Sequence, residues 1–360
     1  MKVWGVSVSY YTGKLETYLR YKGIDYTMAS PFARAKEILP HTGAIQVPMV
    51  ERDDGRWMSD STPIIAHLEK EYPGRPVMPA NPVVRFIALF IEDYADEWLW
   101  RAAMHYRWSY DYGRALLGRI LADEVATGVS LPRFLKIRTV IKRQHTSFVV
   151  SDGVTGETWD HVESGYYNAL RHMTTMLANR PYLLGQTPSI ADFGFMGPML
   201  RHFAQDPTPQ EIMRNEGPAV YEWVGRMWNA GSTCGDSYLL DEVPEDAADL
   251  LKEASETHLK QLTENAKAYA NGQKRFDMVV QGCQYRDLPV SRYRVWCLEQ
   301  LRRAFRALSA AEQASVRALL DYPDASVLWH EDELANSDYD TAGEAPFNKA
   351  INVFGKGTPD

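Results

Sequence analysis

The sequence predicts an α/β unit at the N-terminus, an all-α domain after it, and a third, mostly helical segment at the C-terminus. Three observations carry that reading. Strand-like and helix-like patterns alternate over residues 1–78. Residues 72–82, YPGRPVMPANP, then interrupt the chain with four prolines in eleven residues, the chemistry of a stiff linker. From Val83 onward the apolar period becomes helical and largely stays so. The expected units are 1–78, 79–235 and 236–360.

Each element follows from its own pattern. Val3 to Val8 is strand-like. Lys14 to Tyr21 is helical, with Leu15, Tyr18 and Leu19 on one face and Gly23 as the stop. The run QVPMVERDDGRWMSDS, residues 46–61, reads as a hairpin: strand Val47 to Glu51, turn Asp53-Asp54-Gly55, strand Arg56 to Ser59. A helix from Thr62 to Glu71 closes the unit. The order β, α, a β-poor stretch, β, β, α is that of a small thioredoxin-like domain. The all-α domain runs from Val83 to Trp228, with a polar, glycine-containing interruption at 151–158. The C-terminal segment predicts a long helix (Glu245 to Ala270), a strand (Arg275 to Gln281) and helices at Tyr293 to Leu308 and Ala310 to Asp321. A polar tail, 331–360, has little period.

Bulk properties exclude several classes of function. A net charge of −8 lacks the basic face that a nucleic-acid binder needs to replace phosphate counterions. The cluster from Lys136 to Arg143 reads as a solvated helix face. No run approaches the ~20 apolar residues of a membrane span. The chain opens directly into a strand pattern, with nothing resembling a leader, and the expectation is a cytoplasmic protein with no membrane and no nucleic-acid partner. Cys234, Cys283 and Cys297 have neither metal-ligand spacing nor a disulfide framework, and no metal is expected.

The stretch SVSYYTGKL, residues 7–15, collects hydroxyls where the first strand gives way to the first helix. The first N–H groups of a helix lack intrahelical partners and carry partial positive charge, which suits an anion or a thiolate. Ser9 or Thr12 as a plain helix cap is the competing reading.

Three further motifs, taken together, give the first 235 residues a resemblance to cytosolic glutathione transferases. Val47-Pro48 sits before a strand and resembles that family's cis-proline corner. SDSTPIIAHLEKEYP, residues 59–73, resembles its glutamyl-binding turn and helix. RPYLLGQTPSIADFGFMGPM, residues 180–199, resembles its core helix in the second domain, where Ser189 and Asp192 stand in capping-box relation. The resemblance implies that Gln46, Val47 and Pro48 belong to the glutathione site, with the Val47 backbone pairing with the cysteinyl backbone. It also implies that Asp60 and Ser61 take the ammonium and carboxylate of its γ-glutamyl end. Ser189 and Asp192 are expected to be structural. In that frame Ser9 aligns with the serine that stabilises the thiolate of glutathione, and Thr12 with the last position of the motif. An ordinary thiol with a pKa of ~8.5 is only a few per cent ionised at neutral pH, so a donor to sulfur matters. Tyr10 departs from the family's usual proline, which leaves Tyr10, Tyr11 and Ser7 as alternative donors. No cysteine lies in this segment, which disfavours thiol exchange through the protein.

The electrophile is expected between the domains. DYADEWLWRAAMHYRW, residues 93–108, offers Trp98 and Trp108 as aromatic walls and His105 and Arg107 for negative charge. The same stripe also fits core or interface packing. The resemblance implies a glutathione-dependent transferase or lyase acting on a hydrophobic, aromatic electrophile, and a homodimer. The alternative is a non-catalytic binding protein of the same fold whose cleft is covered by residues 236–360.

Overall fold

A computed structural model describes residues 1–233, 236, 238–330 and 335–350. Cys234 and the outer parts of the tail lie outside the described residues.

The first unit is a four-stranded sheet in the order β2-β1-β3-β4, built from β1 (Lys2–Trp4), β2 (Thr27–Ala29), β3 (Met49–Glu51) and β4 (Trp57–Ser59). β1 runs parallel to β2 and antiparallel to β3, and β3 runs antiparallel to β4. Helix α1 (Tyr10–Lys22) links β1 to β2, α2 (Ala35–Thr42) lies between β2 and β3, and α3 (Ser61–Glu71) follows β4. The first strand is shorter than its Val3 to Val8 pattern suggests. Its parallel partner ends at Ala29, whose carbonyl accepts the Gly5 N–H at 2.9 Å, and the chain then turns so that Ser9 N donates to Val6 O at 3.0 Å. Val6 is buried from a loop instead of a strand. The stretch that reads as β-poor hides both β2 and α2, because β2 is a three-residue edge strand with little alternation.

The second unit contains α4 (Pro82–Glu97), α5 (Leu99–Ser109), α6 (Asp111–Val125), α7 (Arg133–His145), α8 (Trp159–Leu177), α9 (Ile190–Pro198), α10 (Pro207–Glu216) and α11 (Pro218–Thr233). The Asn81 side chain caps α4, accepting from Val83 N at 2.9 Å. Helix α9 is its axis: every residue from Ile190 to Pro198 is buried, against α4 on one side and α1 on another. The capping box is formed, with Asp192 Oδ2 accepting from Ser189 N at 2.9 Å and from Ser189 Oγ at 2.7 Å. Asp192 Oδ1 also accepts from Leu183 N at 2.9 Å and from Trp223 Nε1 at 3.2 Å. A fully buried carboxylate is thus surrounded by donors, the condition under which its burial is tolerable.

Beyond it, α12 (Ala248–Ala254) continues through a wider turn into α13 (Lys260–Ala270), matching the long helix expected there. The strand expected at 275–281 has a partner that the sequence reading missed: β5 (Arg275–Val280) pairs antiparallel with β6 (Cys283–Pro289). Gln281 and Gly282 join them, both with positive φ (48° and 81°), the backbone a tight hairpin requires. Helices α14 (Arg292–Arg306) and α15 (Ala310–Leu319) pack on α4, where Phe305 meets Phe86 edge-on at 5.9 Å. The third segment therefore shares one apolar core with the second domain.

Candidate functional site

The sheet register brings three loops to one end of the first unit. Trp4 pairs with Met49, and Met49 pairs with Ser59. The loop leaving β1 toward Ser9, the Val47-Pro48 corner entering β3, and Asp60-Ser61 leaving β4 are thereby neighbours. The N-termini of α1 and α3 open at the same end, two partial positive charges facing one space.

Ser9 is the N-cap of α1, half-buried, its Oγ accepting from Thr12 N at 3.3 Å. An acceptor role leaves the hydroxyl proton available. Three of the neighbouring hydroxyls donate elsewhere, and the fourth, on Thr12, is shut away from the surface. Tyr10 Oη donates to the Ala95 carbonyl, and Tyr11 Oη donates to the Asp96 carbonyl at 3.1 Å. Burial, then Asp96 and Glu97, pushes the Tyr10 phenol up, and burial, then Glu97 and Asp96, pushes Tyr11 up. Thr12 is fully buried, with Oγ1 accepting from Val6 N at 3.4 Å. Ser7 donates to Glu124 Oε2 at 3.0 Å.

The Val47–Pro48 peptide bond is cis. Gln46 and Val47 are half-buried and Pro48 is buried. No described residue hydrogen-bonds to the Val47 backbone N–H or C=O. Asp60 has φ 72°, a left-handed backbone that turns the chain sharply into α3, and Ser61 is buried at the first position of that helix.

Beneath these loops lies a charged cluster that the sequence reading did not single out. Lys14, fully buried on α1, forms ion pairs with Glu92 and Asp96 of α4 and donates to Thr62 Oγ1 at 2.9 Å. Burial alone lowers a lysine pKa; here Asp96 and Glu92 overcome it and raise the value. The signal was present in the sequence as Glu92 and Asp96, spaced i, i+4 on the face of a helix whose first half is largely apolar.

The third segment reaches this end of the sheet. Tyr293 Oη on α14 donates to Asp60 Oδ2 at 2.9 Å, and Tyr339 packs edge-on against Tyr293 at 5.4 Å. Further along the tail, Ser59 N donates to Pro346 O at 2.9 Å, Ala350 N donates to Thr42 O at 2.8 Å, and the Phe347 ring stands against His67 and under Arg56. Burial pushes the Asp60 carboxyl up to about 7 against the lowering effect of the Tyr293 hydrogen bond and Lys14.

The second-domain residues expected to face an electrophile are packed otherwise. Arg107 is buried, bidentate to Asp206 at 2.7 and 3.0 Å, and donates to Val8 O at 2.8 Å. It holds the loop before Ser9 and is not directed at a ligand charge. His105 is buried between Ser109 Oγ (2.9 Å) and Glu163 Oε1 (3.1 Å), with burial lowering its pKa against the opposing pull of Glu163. Trp108 is 1% exposed. Trp98 lines a cavity of about 10 Å³ with Arg101, His161 and Tyr285, large enough for one water. Of the aromatic stripe, Trp100 is the ring that meets the N-terminal loop, stacked on Tyr11 at 5.7 Å.

The family model of the glutathione S-transferase N-terminal domain matches residues 4–76, and that of the C-terminal domain matches 141–230. The chain belongs to the glutathione transferase superfamily. Similar solved structures include a glutathione S-transferase from Rhodospirillum rubrum F11 at 18% identity, covering 69% of this chain and 98% of that one, with a TM-score of 0.41. The beta-etherase LigF from Sphingobium sp. strain SYK-6 is 18% identical, covering 64% and 94%, with a TM-score of 0.44. A glutathione S-transferase from Methylobacterium radiotolerans, in complex with glutathione sulfonate, is 16% identical, covering 68% and 99%, with a TM-score of 0.40.

Proposed function

We propose that this chain is a glutathione-dependent transferase or lyase. The observation that carries the reading is Ser9: a half-buried hydroxyl at a helix N-terminus whose proton no described residue accepts, while those of Ser7, Tyr10 and Tyr11 are spoken for. In this reading the Val47 backbone pairs with the cysteinyl unit, Asp60 with the γ-glutamyl ammonium, and the α3 N-terminus with its carboxylate. Ser9 donates to the sulfur and the α1 N-terminus adds its field, so the thiol proton leaves to solvent. The thiolate forms an S–C bond to the electrophile, and the leaving group departs with the electron pair of the bond that breaks. Trp100 and Tyr11 form the apolar wall nearest the sulfur, which favours a flat aromatic electrophile.

A second reading is favoured by one specific observation: Tyr293 and the 335–350 tail lie on Asp60, Ser59 and Thr42. In it the third segment covers the cleft and the chain is a non-catalytic binding protein. Calorimetric titration with reduced glutathione separates the two, using the wild-type chain, Asp60→Ala and Tyr293→Phe. Saturable binding that Asp60→Ala abolishes supports the transferase. Binding strengthened about tenfold in Tyr293→Phe, the equivalent of one hydrogen bond of about 1.4 kcal/mol, shows that the extension competes with glutathione and yields to it. No binding by any of the three leaves the covered, non-catalytic protein.

A further inference from the structure

Residues 111–150 differ from the rest of the chain in two ways. They hold seven Lys/Arg against three Asp/Glu, a net +4 within a protein of net charge −8. They also carry seven of the fourteen large apolar side chains exposed among the described residues.

The two features share one geometry. Helices α6 and α7 form an antiparallel hairpin, packed closely because Gly118 presents no Cβ; one placed there would sit 2.6 Å from the Ile141 side chain. Helix α7 turns Val140, Ile137 and Ile141 inward. Its outer face and the connecting turn present Val129, Leu131, Phe134 and Leu135, which are 47%, 48%, 68% and 36% exposed. Arg138 and Lys142 follow Phe134 at i+4 and i+8, about 6 and 12 Å back along the axis, with Arg143 beside them. Among the described residues, no carboxylate lies within ion-pair distance of these three cations; Arg133 is paired with Asp123 and Arg114 with Asp111.

We propose that the α6–α7 hairpin docks on an anionic lipid bilayer. The apolar tip enters the boundary between headgroups and acyl chains, and Arg138, Lys142 and Arg143 meet lipid phosphates and carboxylates. The depths agree, since an interfacial segment buries its apolar part ~5–10 Å and keeps its cations at headgroup level. A bilayer suits this surface because four apolar groups exposed by 36–68% stand beside three cations that no described carboxylate pairs, and an acidic membrane offers apolar and anionic surface together. The sequence alone reads Lys136 to Arg143 as a solvated face and expects no membrane partner. Peripheral docking needs no span, and it is the exposed tip beside the cations that changes the reading. The inference does not rest on the proposed activity.

The test is co-sedimentation of the full chain with vesicles of phosphatidylcholine alone and of about three parts phosphatidylcholine to one of phosphatidylserine. Expected is retention by the anionic vesicles only, weakened by salt, and reduced at least tenfold by either Phe134→Ser or Lys142→Glu. Both side chains are exposed, so thermal unfolding of the variants serves as the folding control. No retention by anionic vesicles overturns the proposal, as does retention indifferent to both substitutions. Light scattering that shows a self-associated chain made monomeric by Phe134→Ser also overturns it, because a second copy would then cover the tip.

Discussion

At the scale of single residues, the site turns on which hydroxyl proton is left unspent. The resemblance favours Ser9 but leaves Ser7, Tyr10 and Tyr11 as alternatives; the folded chain directs those three protons to Glu124, Ala95 and Asp96 and buries Thr12 completely. Ser9→Ala is expected to remove two things at once. The thiolate absorbance of bound glutathione should shift to higher pH, and denaturant unfolding should show a loss of about 0.5–2 kcal/mol from the missing cap. A cap loss with unchanged thiolate ionisation would return Ser9 to a structural role. Asp60 carries a pH prediction. Its carboxyl titrates near 7 when folded, above the ordinary ~3.9, so the folded chain keeps a proton that the unfolded chain has lost. This group's contribution to stability accordingly falls as pH rises from about 4 to about 7. Pairing with the ligand ammonium needs the ionised form, so affinity for S-methylglutathione, which has no thiol to titrate, should rise as pH passes through about 7. Asp60→Asn should bind weakly at every pH, and a wild-type affinity flat across that window would sink the assignment.

At the scale of elements, α1, α3 and α4 are locked by one cationic centre. Lys14 answers Glu92 and Asp96 with no exposure to water, and burial raises the Asp96 carboxyl against the opposing pull of Lys14. Lys14→Met would leave the two carboxylates facing each other and should cost about 3–5 kcal/mol in equilibrium unfolding. Combining it with Glu92→Gln and Asp96→Asn should recover part of that loss, because the unpaired charges are removed as well. A triple variant no more stable than Lys14→Met would mean that the lysine acts through packing alone. The capping box of Ser189 with Asp192 was legible at this scale as a short-range pattern, and the Val47-Pro48 corner and the Asp60-Ser61 turn were legible through their resemblance to glutathione transferase motifs. Strand β2 and the partner strand β6 were not, since β2 has only three residues and the buried Tyr285 and Leu288 of β6 stand three apart across a bulged register instead of alternating.

At the scale of the molecule, the third segment is part of the core and not an appendage. Phe305 meets Phe86, Arg294 lies 3.5 Å from Glu97 and 3.4 Å from Asp152, and His258 lies 2.6 Å from Asp93. A chain ended at residue 235 should therefore expose the apolar face of α4 covered by α14 and α15, bind a hydrophobic dye and aggregate, while the full chain unfolds in one transition. A soluble, monodisperse 1–235 fragment would show that the segment is a separable lid.

The sequence by itself determined the order of the units and the capping box at Ser189, because these rest on periodicity and capping within a few residues, while the loops that meet at the end of the sheet were legible through their resemblance to glutathione transferase motifs. Only the tertiary structure decided which hydroxyl remains available, that Arg107 and His105 belong to buried pairs, and that Tyr293 lies on Asp60 across 233 positions of chain. Those outcomes depend on where a side chain's proton or charge finds its partner, and a partner far along the chain leaves no mark on the local pattern.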